Sequence, residues 1–194
     1  MNPQLKIFMI FLALVTFKGA FSLDKNIFNN SELTITDNAE NIDTVYDHSV
    51  DWKVVGWGEP NPSFNDDGYR YKRMSSELQY IIWNVSDLSE FEATMYGHLD
   101  ELEADLRFFV GTDTSNFTEI TIEIGNRIST ANDWNVFMIS SLNIPQNINF
   151  LKMEIEGGDN YTPQLGEIVM VKYDTSRVVN PKTMYVSKSG NDNT

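Results

Sequence analysis

Apolar residues recur at every second position over much of the chain. Residues 118–125 (TEITIEIG) set Ile120, Ile122 and Ile124 against Glu119, Thr121 and Glu123. Residues 151–156 (LKMEIE) set Leu151, Met153 and Ile155 against Lys152, Glu154 and Glu156. The same alternation groups Phe91, Ala93 and Met95, and then Leu106, Phe108 and Val110. An extended chain points successive side chains to opposite faces, so each segment predicts a half-buried strand. Two denser runs, 78–85 (LQYIIWNV) and 167–173 (EIVMVKY), predict strands apolar on both faces. Residues 136–140 predict another. Polar turns at 113–116, 130–133 and 157–160 separate them. Short alternating strands at intervals of about 8–15 residues predict an all-β, antiparallel, two-sheet sandwich. Helical spacing is poor. Its best case, residues 99–106 (LDELEADL), is short and acidic and reads as a loop with a single turn.

This pattern occupies residues 44–173 and leaves flanks of different character. Lys6 precedes an apolar run at 7–17 (IFMIFLALVTF), and small residues follow at Ala20 and Ser22. That order predicts a signal peptide over residues 1–22, because the run is shorter than the roughly 20 residues that span a bilayer. Secretion and an extracellular location follow, with no membrane span once the signal is removed. Residues 23–43 are polar and Asn/Asp-rich and read as a linker holding one short strand around Leu33–Ile35. Residues 174–182 (DTSRVVNPK) read as a second connector, and a new strand-like signal begins at Thr183.

Composition narrows the chemistry. The formal charge is −14, with 28 acidic against 14 basic residues. Nucleic acid is excluded as a partner, since phosphate contacts need clustered Lys and Arg. An anionic polysaccharide meets long-range repulsion unless a basic patch or a bridging cation intervenes. There is no cysteine, so no disulfide, zinc ribbon or thiol nucleophile exists. A domain of this size builds a sufficient core without them. Four Asn-X-Ser/Thr triplets begin at Asn29, Asn84, Asn116 and Asn160. An Asn-rich chain produces such triplets by chance, and they indicate no function.

No catalytic constellation stands out. The two histidines, His48 and His98, lie in no metal-spacing motif, and no strained nucleophile turn accompanies them. Carboxylate pairs able to cut a glycosidic bond arise by chance in an acidic chain. The aromatic distribution carries more. Trp57, Phe64, Tyr69 and Tyr71 fall in or beside a Gly/Pro/Asn/Asp-rich stretch (GWGEPNPSFNDDGYRYKR), which also holds Arg70, Lys72 and Arg73. Loop aromatics can stack on pyranose faces while neighbouring cations donate to hydroxyls or a uronate. Trp57, Tyr69, Arg70, Tyr71 and Arg73 are therefore the candidate carbohydrate-binding residues. The competing reading is that the aromatics pack beneath a long loop and the cations pair with the acidic surface.

The order of elements also resembles a known family. Residues 111–120 (GTDTSNFTEI), 142–145 (LNIP) with 150–155 (FLKMEI), and 164–173 (QLGEIVMVKY) resemble galactose-binding-domain-like jelly rolls, common as carbohydrate-binding modules. The resemblance implies a jelly-roll sandwich, glycan-contacting loops at one end, and often a structural calcium near the first and last strands. Asp37, Asp43 and Glu167 lie where such a calcium would need oxygen ligands, although none matches a family motif. Residues 183–192 (TMYVSKSGND) resemble the opening strand and turn of pectate-lyase-type right-handed β-helices. Together these imply a monomeric, non-catalytic module that holds a secreted polysaccharide-degrading enzyme, a lyase or glycoside hydrolase, on a polysaccharide or cell-wall glycan, with 183–194 as the start of the catalytic domain. The alternative is a secreted adhesion or spacer sandwich without glycan binding, and a stand-alone glycan lyase is a third reading.

Overall fold

A computed structural model describes residues 33–56, 58–98, 104–141, 143–159 and 161–173. The expected signal peptide, the connector at 174–182, the terminal strand signal at 183–194 and Trp57 all lie outside the described residues, as do 99–103 of the acidic loop.

The described strands are β1 (Thr34–Asp37), β2 (Asp47–His48), β3 (Trp52–Gly56), β4 (Tyr69–Arg73), β5 (Gln79–Asn84), β6 (Leu88–His98) and β7 (Asp105–Gly111). After them come β8 (Phe117–Ile120), β9 (Glu123–Ile124), β10 (Ile128–Ser129), β11 (Trp134–Ser141), β12 (Phe150–Glu156) and β13 (Gln164–Lys172). They form two antiparallel sheets. The larger has eight strands in the order β10-β11-β6-β13-β4-β3, with β1 also on β13 and β9 also on β11. The smaller has five, in the order β2-β5-β12-β7-β8. The chain changes sheet at most of its connections, so neighbours in sequence face each other across the core. The expected all-β, two-sheet antiparallel sandwich is the observed fold.

The alternating segments build its interior. Leu151, Met153 and Ile155 of β12 and Phe108 of β7 face Phe91, Ala93 and Met95 of β6, with Ile139, Leu165, Ile168 and Met170 beside them. Phe91 and Phe108 stack across the sheets at 4.8 Å between centroids. Polar members of the same strands point outward. On the smaller sheet Lys152 pairs with Glu154 at 2.5 Å, and Arg107 pairs with Asp105, Glu154 and Glu156.

Three expectations change. The single strand expected over 118–125 is two, because the chain leaves the smaller sheet after Ile120 and joins the larger at Glu123. Ile120 and Ile122 still pack on the core, but Ile124, opposite Ile139 at the rim, is 55% exposed. The strand expected inside an N-terminal linker is β1, which pairs with β13 over four residues, so the sandwich begins before Thr44. Finally, the Gly/Pro-rich stretch read as a loop contains β4 and is preceded by β3, which pair over five residues as a hairpin. Gly56 closes that hairpin at φ 116°, where a Cβ would collide with the Gly68 carbonyl.

Candidate functional site

The hairpin connection between β3 and β4 folds back over the outer face of the larger sheet. A short 3-10 turn (Pro62–Phe64) starts where the Asn61 side chain accepts from the Ser63 N–H, and it ends at Asn65 in the left-handed region. The turn inserts Phe64 against Tyr96 (5.3 Å between centroids) and Trp134 (4.6 Å). With Val136 these residues form a second, small apolar cluster outside the sandwich. Thr130 Oγ1 donates to the Ser63 carbonyl, and Asn132 Nδ2 donates to Ser63 Oγ, which fixes the turn from the β10–β11 side.

The candidate cations are drawn inward by this arrangement. Arg70 is buried, with its guanidinium carbon 3.4 Å from the Phe64 ring centroid and its Nε donating to Gln164 Oε1. Arg73 is fully buried, and its Nη2 donates to the carbonyls of Gly157, Asp159 and Thr162 at 2.9, 2.9 and 3.0 Å. Burial pulls both guanidinium groups down from their ordinary range, Asp67 partly offsetting this for Arg70 and Asp159 for Arg73. Tyr71 is fully buried and donates from its hydroxyl to Asp37 Oδ1 and the Asn41 carbonyl, both at 3.0 Å. Burial and the Asp37 carboxylate push its phenol well above the usual range. Arg70, Tyr71 and Arg73 thus brace the β3–β4 hairpin from buried positions. The competing reading, aromatics packed beneath a loop, holds for Phe64, whereas Tyr71 is buried in the main core between the sheets. Arg70 and Arg73 turn to backbone carbonyls, an amide and an aromatic ring, and Arg73 Nε and Nη1 are buried without a hydrogen-bond partner.

Tyr69 is half-buried. It lines a cleft of about 460 Å³ on the outer face of the larger sheet, together with Asp66, Asp67, Thr94, Tyr96 and Glu167. Asn38, Glu40 and Asn65 add exposed polar groups to the same cleft. Asp67 is the fixed point: its Oδ2 accepts from the Tyr96 hydroxyl at 3.1 Å and its Oδ1 from the Tyr69 N–H at 3.4 Å. Burial pushes the Asp67 carboxyl above its ordinary value, with these hydrogen bonds and Arg70 pulling it back. Gly166 of β13 leaves room for this pair, since a Cβ there would meet both Asp67 Oδ2 and Tyr96. The sequence pointed to Tyr69 and, as a calcium candidate, to Glu167, but not to Glu40, Asp66 and Asp67, which come from two other segments.

Of the residues considered for calcium, Asp37 lies in β1, Asp43 in a 3-10 turn at 42–44 and Glu167 in β13. Asp37 accepts from the Tyr71 hydroxyl, Trp83 Nε1 (2.9 Å) and the Ala39 N–H (2.8 Å), which occupies its carboxylate in bracing the two sheets. Among the described residues no group of three or more His, Cys, Asp or Glu side chains is placed to hold a metal ion. No described helix is long and apolar enough to cross a membrane.

No protein-family model matches the chain, and no curated protein matches it. Among solved structures, the K2 cleaved adhesin domain of Lys-gingipain is similar at a TM-score of 0.49 and 11% identity. The match covers 72% of this chain and 98% of that one. At that identity and score the likeness says nothing about a ligand, and neither family resemblance drawn from the sequence gains support from it.

Proposed function

We propose that this chain is a non-catalytic, glycan-binding β-sandwich of a secreted protein, and that the glycan is neutral. One observation carries the reading: the cleft beside Tyr69, whose volume falls in the range of about 300–1,000 Å³ typical of ligand sites. It presents an aromatic ring next to carboxylate, amide and hydroxyl groups, the combination that stacks a pyranose and accepts from its hydroxyls. Among the described residues no Lys, Arg or His lines it, so a polyuronate would meet carboxylates without a cation to pair with. The role of such a module is to raise the local concentration of a glycan for whatever it is joined to. Secretion rests on the apolar run at 7–17, and a joined polysaccharide-degrading enzyme rests on residues 183–192; both lie outside the described residues.

The test is retention on insoluble glycans. Wild-type protein should be retained on neutral β-glucan, xylan or mannan and pass through polygalacturonate. Tyr69→Ala and Trp57→Ala should abolish retention with an unchanged circular dichroism spectrum. Retention on polygalacturonate alone overturns the charge argument. Unaltered retention in Tyr69→Ala overturns the site, and no retention on any glycan favours an adhesion or spacer role.

A further inference from the structure

A second cleft, of about 540 Å³, opens at the edge of the sandwich where β1 of the larger sheet faces β5 of the smaller. Ile35, Val45, Met170 and Trp83 give it an apolar floor, and Tyr46 forms an aromatic wall. Tyr46 is 54% exposed, and its ring is seated edge-on against Phe150 at 5.1 Å between centroids. That edge contact restricts the ring before any ligand arrives, which lowers the entropic cost of stacking. Asn41, Thr44 and Asn84 supply exposed hydrogen-bonding groups along the rim.

The two clefts lie on either side of one turn. Both are lined by Asn38 and Glu40, the exposed residues of the turn that follows β1. That turn forms a low, rigid ridge. Ala39 at its centre is fully buried at φ 56°, and its N–H is held by Asp37, itself fastened to Tyr71 and Trp83. A chain lying across Asn38 and Glu40 would therefore reach a tyrosine on each side, Tyr46 at one end and Tyr69 at the other. Among the described residues no basic side chain lines either cleft.

We infer that the two clefts are subsites of one groove, and that its ligand is an extended neutral oligosaccharide segment bridging Tyr69 and Tyr46 rather than a single terminal sugar. This rests on the glycan-binding reading of the Tyr69 cleft. A ligand that fills one cleft engages one tyrosine, and a longer one gains the second ring and the shared polar ridge. Affinity therefore rises with chain length until both subsites are occupied.

The experiment is calorimetric titration with cello-, xylo- and manno-oligosaccharides of increasing length, from disaccharide to hexasaccharide. For the series that binds, wild-type affinity should increase about tenfold or more between the shortest and longest members, equivalent to about 1.4 kcal/mol. Tyr46→Ala should reduce the longest ligand's affinity to that of the disaccharide and leave the disaccharide unchanged, whereas Tyr46→Phe should keep the wild-type profile. Tyr69→Ala should weaken every length. Length-independent wild-type affinity, or a Tyr46→Ala profile identical to wild type, overturns the second subsite while the Tyr69 cleft stands. Absence of binding by all three series overturns both. Melting temperatures of the variants, expected to match wild type because Tyr46 is exposed, separate loss of contact from loss of fold.

Discussion

The protein contains two apolar clusters that differ in kind. The larger lies between the sheets and is assembled from alternating strands, with Phe91, Phe108, Leu151 and Met153 among its buried members. The smaller, Phe64 with Tyr96, Trp134 and Val136, lies outside the sandwich and is closed by a loop residue on a 3-10 turn. Removing the first removes the fold. Removing Phe64 from the second should release the β3–β4 connection, and with it the wall of the Tyr69 cleft. The division separates what the domain needs to fold from what shapes the proposed glycan cleft.

The sharpest way to break this division is to create a cavity in each cluster. Phe108→Ala should cost about 3–5 kcal/mol and shift the whole urea transition, since a fully buried aromatic loses its transfer energy and leaves a void. Phe64→Ala should cost less, about 0.5–3 kcal/mol. Its signature should be local: faster amide exchange and new protease cleavage within 57–68, with glycan retention lost. Equal shifts in the two urea midpoints would show that the clusters are one cooperative unit.

A smaller effect concerns the carboxylate that anchors the loop. The folded state raises the Asp67 carboxyl, chiefly by burial, above the ordinary value of 3.8. Its favourable contribution is then complete below that value and is lost as pH rises through the folded-state titration. Melting temperatures of wild type should fall relative to Asp67→Asn across that window, because the amide does not titrate and still offers an acceptor to the Tyr96 hydroxyl. A constant difference between the two proteins across the window would disprove the burial argument. The smallest effect belongs to the rim. Ile124→Ala should change stability by no more than about 0.5 kcal/mol, because Ile124 is largely exposed although its sequence pattern matches that of the core. A loss like that of Phe108→Ala would mean that the β9 edge is covered.

That last contrast shows what alternation conveys. In β12 the period of two identified Leu151, Met153 and Ile155, each fully buried, because a central strand is covered on its inward face along its whole length. Residues 118–125 carry the same period, but the chain changes sheet midway, and a period cannot report where a neighbour ends. Strand β4 was legible in principle: Tyr69 and Tyr71 alternate with Arg70 and Lys72, yet the flanking Gly, Pro and Asn/Asp residues dominated the reading. Arg73 was not legible. Nothing local reveals that three carbonyls of a segment over eighty residues later will surround a guanidinium. The site shows the same limit. Tyr69 could be picked out as an aromatic on a hairpin, whereas Glu167 joins it through the pairing of β13 with β4, and Asn38 and Glu40 through the pairing of β1 with β13.

The pairing of β1 with β13 has a mechanical side. The Lys172 N–H donates to the Leu33 carbonyl at 2.7 Å, so residues 33 and 173 leave the domain side by side. Tension applied through those two positions acts across the first hydrogen bonds of the ladder, not along it. β1 would be peeled away one pair at a time, from Thr34–Val171 towards Asp37–Ile168, so that each bond carries the load alone. Peeling ends at Asp37, whose carboxylate braces Tyr71 and Trp83 below the ridge shared by the two clefts. A pull on residues 33 and 173 therefore arrives, four residue pairs later, beneath the turn that both clefts share.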